Sequence, residues 1–229
     1  MVTALEVSHL RFAYEAEPVL DDISFQIADS ESVAIVGANG SGKSTLLWCL
    51  AGLLRASGEV LLFGEPPRAR ALVRVGMAFQ NPEDQLFMPT LIQDLALPLL
   101  NAGGDRVTAR QRAAALLGEL GLEKYCDQPA THLSLGQRKL AAVALALVRK
   151  PDLLLFDEPT AELDGRAVRQ LSVLLRDLKV AKLFASHDLG FLRVATTRAL
   201  VLSAGKIIAD GPTGKLLADV ELLTQAGLI

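Results

Sequence analysis

The sequence has few cysteines, no long apolar run and no excess of basic residues. Its two cysteines, Cys49 and Cys126, lie far apart and in no metal-ligand spacing, which is typical of reduced residues in a cytoplasmic protein. The apolar runs break well before the ~18 residues of a membrane span, so no transmembrane helix is predicted. The opening MVTALEVSHL has no basic region before an apolar stretch, so we expect no signal peptide. A net charge of −3 argues against a nucleic-acid partner.

The chain of 229 residues suffices for one α/β domain, and a hydrophobic content of 51% suits a buried parallel sheet or a surface that a partner covers. LEVSHLRFAY and VLDDISFQI alternate apolar and polar residues, which predicts antiparallel strands. SVAIVG, VRVGMAFQ, DLLLFDE and KLFAS predict buried strands, whereas residues from about 82 to 149 are rich in helix formers. We predict a single α/β domain, 1–229. Its core and antiparallel strands lie in 1–80 and 150–229, and a helical subdomain is inserted at about 82–149.

Local signals predict three further features. Thr108 is suited to cap the helix over TARQRAAALLGELGL. RALVLSAGKIIADG predicts a hairpin that turns at Ala204–Gly205. LLADVELLTQAGLI predicts one short helix.

The stretch VGANGSGKST, 36–45, joins an apolar strand to a helical run. It matches the pattern G-x-x-x-x-G-K-[ST] at Gly37, Gly42, Lys43 and Ser44. Small residues let backbone N–H groups converge on a phosphate at the positive end of the helix, where Lys43 adds charge and Ser44 a hydroxyl ligand for Mg²⁺. An ordinary flexible Gly/Ser loop is the alternative. The predicted nucleotide-binding residues are Gly37, Ala38, Asn39, Gly40, Ser41, Gly42, Lys43, Ser44 and Thr45.

A second element, LLLFDEP, places two carboxylates at the end of a buried strand, where an α/β sheet binds its ligand. Asp157 is predicted to hold Mg²⁺ through water, and Glu158 to polarise the attacking water. An Asp–Glu pair is also common on solvated turns, but an apolar strand precedes this one.

A third element, LSLGQRK, places Ser134 and Gly136 at a predicted helix N-terminus that could bind a phosphate. A chain with one phosphate loop has little use for a second cradle, unless two copies pair head to tail. The sequence resembles the nucleotide-binding subunits of ABC transporters over nearly its whole length. GANGSGKST, AFQNP, LSLGQ, LLLFDEPTAELD and SHD carry the resemblance, in that order.

The resemblance implies ATP and Mg²⁺ as cofactors and an ATP hydrolase that works as a dimer. It implies that Tyr14 stacks on adenine, that Gln80 contacts Mg²⁺ and water, and that His187 contacts the γ-phosphate. Asp164 matches the loop that crosses the dimer interface, and the signature loop contributes Ser134, Gly136 and Gln137. The alternative for Tyr14 is a tyrosine on a strand face, and a lone histidine is more often structural.

Two positions depart from the family pattern. The usual signature is LSGGQ, but this chain has Leu135 at its third position, which is costly if the backbone there needs φ > 0. We expect the Leu135 side chain to point away from the nucleotide. Glu162, in AELD, replaces a commonly small residue near the dimer interface.

FQNPEDQLFMPTLIQDLALPLL resembles the energy-coupling factor ATPases, which drive bacterial uptake of vitamins, cobalt and nickel. The resemblance implies a small transmembrane coupling subunit docked near NPEDQLF and a substrate-binding membrane subunit, at the cytoplasmic face of the membrane. An ordinary surface turn is the alternative, but the apolar Leu86–Phe87 pair favours a partner that covers it. DVELLTQAGLI resembles the point at which many members continue into a dimerisation region. We therefore expect a short, core-only member that forms a dimer of identical chains, and we expect this dimer to depend on nucleotide and on the membrane partner.

Other functions stay open at this stage. The chain could energise another ABC importer or an exporter, or it could be a soluble ABC ATPase of DNA repair or translation. Such ATPases usually carry long coiled coils or tandem halves, which this sequence lacks. A non-hydrolysing nucleotide sensor would be expected to lack Glu158 or His187. The transported substrate is not encoded in any residue identified here.

Overall fold

The computed structural model describes residues 3–229, which form an α/β fold with two sheets. The strands are β1 (Thr3–Tyr14), β2 (Glu17–Ala28), β3 (Ser32–Val36), β4 (Ser57–Leu62), β5 (Val75–Ala78), β6 (Leu153–Asp157), β7 (Ala181–Ala185), β8 (Arg198–Ser203) and β9 (Lys206–Pro212). The helices are α1 (Lys43–Leu50), α2 (Ala69–Leu72), α3 (Leu91–Asn101), α4 (Arg106–Glu119), α5 (Leu135–Leu147), α6 (Gly165–Asp177), α7 (Leu189–Ala195), α8 (Thr213–Leu216) and α9 (Val220–Gln225).

The smaller sheet is antiparallel, with strand order β2-β1-β4. Strands β1 and β2 pair from Thr3 with Ala28 to Tyr14 with Glu17, and β4 joins the other edge of β1. The alternation of buried and exposed residues along β1 and β2 explains the pairing, because one face packs on the core and the other meets solvent. The predicted antiparallel strands are thus confirmed.

The larger sheet has six strands in the order β5-β6-β7-β3-β8-β9. Its first five strands are parallel, and β9 returns antiparallel to β8. Strands β6 and β7 are buried along their whole length, as expected where helices cover both faces. The carboxyl ends of β3, β5, β6 and β7 meet at one edge of this sheet, where α/β proteins bind ligands.

Three clusters of buried apolar side chains form the interior. One lies between the antiparallel sheet, α1 and one face of the large sheet, and the second lies on the opposite face under α6 and α7. The third belongs to α3, α4 and α5. Helix α5 contributes to two of them, since Ala141 packs in the helical cluster while Val143 and Ala146 pack with Phe156 of β6. This helix therefore joins the helical layer to the sheet.

One local prediction, the cap of α4, is wrong. Helix α4 is capped by Asp105, whose carboxylate accepts hydrogen bonds from the backbone N–H groups of Val107 and Thr108, each at 3.0 Å. Thr108 lies inside the first turn instead. The predicted short C-terminal helix in LLADVELLTQAGLI, 216–229, is confirmed as α9, and the Asp219 side chain caps it by accepting from the Leu222 N–H at 3.0 Å.

The hairpin between β8 and β9 is confirmed. Its two loop residues, Ala204 and Gly205, have φ values of +45° and +75°, as a two-residue turn of the mirror-image type requires. Within residues 3–229, no helix is both long enough and apolar enough to span a bilayer.

Candidate functional site

The loop between β3 and α1 has the shape that its glycines predict. Gly40 and Gly42 have φ values of +79° and +103°, in the left-handed region that other residues rarely adopt. A Cβ atom on Gly37 would lie 2.3 Å from the carbonyl oxygen of Leu202 and 2.6 Å from Oγ of Ser41. Because backbone and side chain approach so closely, only glycine fits at position 37.

Lys43 and Ser41 give this loop polar groups that suit a phosphate. Nζ of Lys43 donates to the carbonyl oxygens of Gly37 and Ala38, at 2.8 and 2.9 Å. Burial lowers the pKa of Lys43, and the nearby Glu158 and Asp157 carboxylates oppose this shift. Oγ of Ser41 is buried without a hydrogen-bond partner among residues 3–229, which is costly unless a ligand supplies one. The loop therefore fits the phosphates of a nucleotide.

Ser44 and Asp157 form the pair expected to hold Mg²⁺. Oγ of Ser44 donates to Oδ1 of Asp157 over 3.0 Å, so the two oxygens lie close enough to share one ion. Burial raises the pKa of Asp157, and the hydrogen bond from Ser44 opposes the shift. A divalent cation would relieve the cost of keeping this carboxylate charged, and oxygen ligands are those that Mg²⁺ prefers. The residues present thus fit the ion.

Glu158 follows at the end of β6, buried and fully engaged by the loop after β7. Its Oε1 lies 2.9 Å from Nδ1 of His187, and its Oε2 accepts from Oγ of Ser186 at 3.0 Å. Glu158 adopts φ +45°, a left-handed conformation that is strained for glutamate. His187 itself is more than half exposed. The two side chains thus form one hydrogen-bonded unit that opens to solvent through the histidine.

These elements share one cavity of about 390 Å³, called here the phosphate-loop cavity. Its lining combines residues from β2, the phosphate loop, α1, and the ends of β5, β6 and β7. They are Val19, Asn39, Gly40, Gly42, Lys43, Ser44, Thr45, Gln80, Glu158 and His187. The fold therefore brings together the loop, Gln80, Glu158 and His187, which are widely separated in sequence.

The signature residues do not line this cavity. Ser134 caps α5: its Oγ accepts from the N–H of Gln137 at 3.3 Å, while Oε1 of Gln137 accepts from the N–H of Ser134 at 2.8 Å. This reciprocal capping box explains why the helix begins there. Nε2 of Gln137 also donates to the Tyr125 hydroxyl at 2.7 Å. Gly136 lies in the first turn of the same helix, so the predicted second helix N-terminus is present but apart from the phosphate loop.

Tyr14 and Asp164 also lie outside the phosphate-loop cavity. Tyr14 ends β1, half-exposed, and meets Phe12 edge to face with ring centroids 4.8 Å apart. Asp164 caps α6 by accepting from the N–H groups of Arg166 and Ala167, both at 2.8 Å. These backbone hydrogen bonds, that of Ala167 foremost, lower the pKa of Asp164. Stacking on adenine and contact across a dimer stay predictions for these two residues.

The two departures from the family pattern lie together. Leu135 is the first residue of α5, so the left-handed strain considered for it does not arise. Of these two residues, it is Glu162 whose backbone lies in the left-handed region, with φ +64°. Both line a second cavity of about 580 Å³ that also includes Trp48, Gln80 and Lys139, called here the Gln80 groove.

Sequence reasoning missed three residues of this region. Ser186 is buried against Glu158, and Val19 comes from β2 to line the phosphate-loop cavity. Lys139 is buried with its ammonium beside Gln80 and Glu158. A signal existed only for Ser186, which precedes His187 at a strand end. The other two depend on packing between distant segments.

Comparison with known proteins identifies the family of this chain. Residues 20–161 match the profile of the ABC transporter family. SCO3161 of Streptomyces coelicolor, provisionally named an ABC transporter ATP-binding protein, is 41% identical over 96% of this chain and 87% of its own length. The nickel import ATP-binding protein NikO of Rhodobacter capsulatus is 37% identical over 100% of this chain and 97% of its own length.

Two solved structures share the fold. The structure of cbiO1 of Clostridium perfringens, part of the ABC transporter complex cbiONQ, has a TM-score of 0.83 and 30% identity, and covers 100% of this chain and 96% of its own. The ATP-binding cassette MJ0796, solved as a dimer in a post-hydrolysis state with ADP and Pi, has a TM-score of 0.81 and covers 91% of this chain and 98% of its own. At 24% identity, MJ0796 supports the fold alone. The chain belongs to the ABC transporter family, as an ATPase subunit that uses ATP with Mg²⁺.

Proposed function

We propose that this chain powers an energy-coupling factor importer of a transition metal, cobalt or nickel, or of a vitamin such as biotin. It would bind the cytoplasmic face of the membrane through a small transmembrane coupling subunit, alongside a substrate-binding membrane subunit. The similarity to NikO, a nickel import protein, and to cbiO1, a part of cbiONQ, supports this choice.

The Gln80 groove is the observation that carries the proposal. Trp48 and Leu53 expose their side chains at the groove, and exposed apolar side chains that share one groove are typical of a protein interface. Phe87 does not line the groove, but it follows the groove residues Pro82 and Asp84 in the chain and is 70% exposed. Leu86, its neighbour, is buried in the helical cluster, so only Phe87 of the predicted apolar pair needs a partner. The groove and the phosphate-loop cavity share Ser44 and Gln80, which gives a docked partner a direct route to the nucleotide.

The separation of the signature loop from the phosphate loop supports a working dimer of two chains. Ser134 and Gly136 lie at the N-terminus of α5 and do not line the phosphate-loop cavity of their own chain. Backbone N–H groups at a helix N-terminus attract a phosphate. A second copy placed head to tail would use them to complete each site, with Asp164 in the loop between the two copies. Because both halves of the site are present in this chain, the dimer needs no different ATPase.

The residues of the phosphate-loop cavity then take defined roles. The phosphate loop and Lys43 bind and orient the phosphates of ATP, and Tyr14 stacks on the adenine. Ser44, Gln80 and Asp157 would hold Mg²⁺, which supplies charge stabilisation at the phosphoryl group when bound. Glu158 accepts a proton from the attacking water, and His187 orients that carboxylate and stabilises charge on the phosphoryl oxygens.

Affinity purification tests the partner. The tagged chain is isolated from its native membranes in detergent, and the accompanying proteins are identified by mass spectrometry. We expect a small coupling subunit and a substrate-binding membrane protein, whose identity would name the substrate. Recovery only from the soluble fraction, alone or with ribosomes or DNA, would contradict the proposal.

A matched pair of variants tests the surface. Phe87→Ser removes the exposed aromatic side chain, and Val107→Ser removes an equally exposed apolar side chain, at 66%, from α4. Phe87→Ser should lose the membrane partners, whereas Val107→Ser should retain them. Equal recovery of partners with both variants would show that Phe87 is not part of the docking surface.

A further inference from the structure

Lys139 is a buried lysine in the helix that carries the signature loop. It lies in the second turn of α5, and its side chain is 5% exposed. Lysine is rarely buried unless its ammonium is paired or hydrogen-bonded. The partners of this ammonium therefore indicate what the residue does.

The Lys139 ammonium donates to two backbone carbonyl oxygens from different parts of the site. Nζ lies 2.9 Å from the carbonyl oxygen of Gln80 and 3.1 Å from that of Glu158. One follows the end of β5 and the other the end of β6. A single side chain thus links α5 to the two segments that hold Gln80 and the proposed general base, Glu158.

The charges around Lys139 favour a cation at this place. Burial lowers its pKa, while the carboxylates of Glu162, Glu158 and Asp157 oppose that shift in this order of strength. The ammonium therefore has carboxylates near it both from the Glu162 loop and from the end of β6. A neutral side chain would leave both carbonyl oxygens without this donor.

The backbone of Glu158 is strained, so its conformation depends on contacts such as the hydrogen bond from Lys139. Glu158 holds a strained φ of +45°, and such a conformation persists only where surrounding contacts determine it. Its side chain is held by His187 and Ser186, and its carbonyl by Lys139. A shift of α5 would move the carbonyl of Glu158 and, with it, the direction of the carboxylate.

We propose that Lys139 is a positioning residue. It links the position of α5, the helix that begins at the signature loop, to the positions of Gln80 and Glu158. Hydrolysis then proceeds at full rate only when α5 lies where Lys139 can hold both carbonyls. In the proposed dimer, the signature loop of one chain contacts the nucleotide site of the second chain. Through Lys139, this contact would affect the position of Glu158, the proposed general base, in the first chain's own site. The inference rests on the catalytic role proposed for Glu158.

The chain offers a matched control for this test. Lys182 in β7 is also buried, at 2% exposed, and its ammonium also donates to backbone carbonyls. Those carbonyls belong to Leu175, Arg176 and Leu178, at the end of α6 and away from the phosphate-loop cavity. Lys182→Met therefore also removes a buried ammonium that donates to backbone carbonyls, but it leaves the hydrogen bonds to Gln80 and Glu158 in place.

The test compares steady-state ATP hydrolysis by Lys139→Met, Lys139→Arg and Lys182→Met in the full chain. Lys139→Met should lower kcat by about ten- to hundredfold, because a small misplacement of a reacting group has a large effect on rate. KM should stay within about twofold, since the phosphate loop is intact. Lys139→Arg keeps the charge and donors and should recover part of kcat. Lys182→Met should lower the melting temperature but leave kcat per folded molecule unchanged.

Hydrogen exchange followed by mass spectrometry gives a second readout, taken without nucleotide. Peptides that contain Gln80 and Glu158 should exchange faster in Lys139→Met and not in Lys182→Met. If Lys139→Met is not recovered folded, Lys139→Gln, whose side chain is shorter and uncharged, is measured in the same way and should also lower kcat.

The proposal is overturned if folded Lys139→Met, or Lys139→Gln in its place, hydrolyses ATP at the wild-type rate. It is also overturned if kcat falls equally in Lys182→Met. Glu158→Gln in the same assay separates the proposed role of Glu158 from the proposed role of Lys139. Normal hydrolysis by that variant would remove the role of Glu158, whereas a loss in Glu158→Gln without one in Lys139→Met would remove only the role of Lys139.

Discussion

Oε1 of Glu158 lies 2.9 Å from Nδ1 of His187 in the single chain. The glutamate is buried and the histidine is largely exposed, so the hydrogen bond joins the interior of the sheet to the mouth of the phosphate-loop cavity. A second hydrogen bond, from Oγ of Ser186, holds the other carboxylate oxygen. The proposed general base and the histidine proposed to orient it are therefore already hydrogen-bonded in the single chain.

Glu158→Gln should retain ATP binding and stall turnover. Glutamine keeps an acceptor oxygen for the hydrogen bonds but cannot take a proton from water, so kcat should fall by about 10²–10⁴-fold. Gel filtration with ATP should then show a long-lived dimer. Glu119→Gln, which removes an exposed carboxylate from the end of α4, is the control and should hydrolyse ATP normally. Hydrolysis by Glu158→Gln near the wild-type rate would exclude Glu158 as the general base.

Gly37→Ala should disrupt the phosphate loop. The added Cβ would lie 2.3 Å from the Leu202 carbonyl oxygen, and crowding of this kind costs about 1–3 kcal/mol. Nucleotide affinity, measured with a fluorescent ATP analogue, should fall together with the melting temperature.

Gly118→Ala is the control for this glycine substitution. A Cβ on Gly118 meets nothing within 4 Å inside α4, and alanine in a helix interior is more stable than glycine by about 0.5–1 kcal/mol. Gly118→Ala should therefore raise the melting temperature and leave nucleotide affinity unchanged. Equal affinity for ATP in the two variants would contradict the crowding at Gly37.

Asp105→Ala should destabilise α4 more than Thr108→Ala. Asp105 caps the helix through the N–H groups of Val107 and Thr108, and loss of a cap in a chain of this size lowers the melting temperature by about 2–4 °C. Thr108→Ala removes only the hydroxyl that donates to Asp105. The melting temperatures of both variants are measured by circular dichroism. A larger loss in Thr108→Ala would reverse the assignment of the cap.

Asp94 should make stability depend on pH in the direction opposite to most carboxylates. Burial raises its pKa above 3.8, although its carboxylate accepts from the N–H groups of Met88 and Phe87. Because the folded pKa lies above the unfolded one, the folded state binds the proton more tightly. Its contribution to stability is full below pH 3.8 and is lost as the pH rises through the raised folded pKa.

The isosteric variant Asp94→Asn isolates this effect. Melting temperatures of the wild type and Asp94→Asn are compared at a series of pH values. Relative to the variant, the wild type should lose stability as the pH rises through this range. A difference that does not change with pH would show that Asp94 titrates alike in the folded and unfolded chains.

Several structural features could be predicted from short stretches of sequence. The strand, glycine loop and helix around Lys43 form as expected, since φ > 0 at Gly40 and Gly42 is a local property of glycine. The Ala204–Gly205 hairpin is equally local. The cap of α4 was assigned to the wrong residue because Asp105 and Thr108 both suit the role, and only the path of the chain into the helix selects between them.

Features that depend on distant segments were not predicted. Nothing in the sequence around Lys139 indicates that its ammonium reaches carbonyls 59 and 19 residues away. The burial of Leu217 and Leu223 in the second apolar cluster also depends on side chains from distant parts of the chain.

The sequence by itself determined the chemistry of this protein: which residues cradle a phosphate, which carboxylates can hold an ion or take a proton, and which family they belong to. These depend on residue type and local spacing, and the motifs carry both. The tertiary structure decided how the groups meet. It joined Glu158 to His187 and Ser186, placed Ser134 and Gly136 outside the phosphate-loop cavity, and buried Lys139 between Gln80 and Glu158. Such contacts arise from the packing of the six-stranded sheet and α5, and packing is a property of the whole chain.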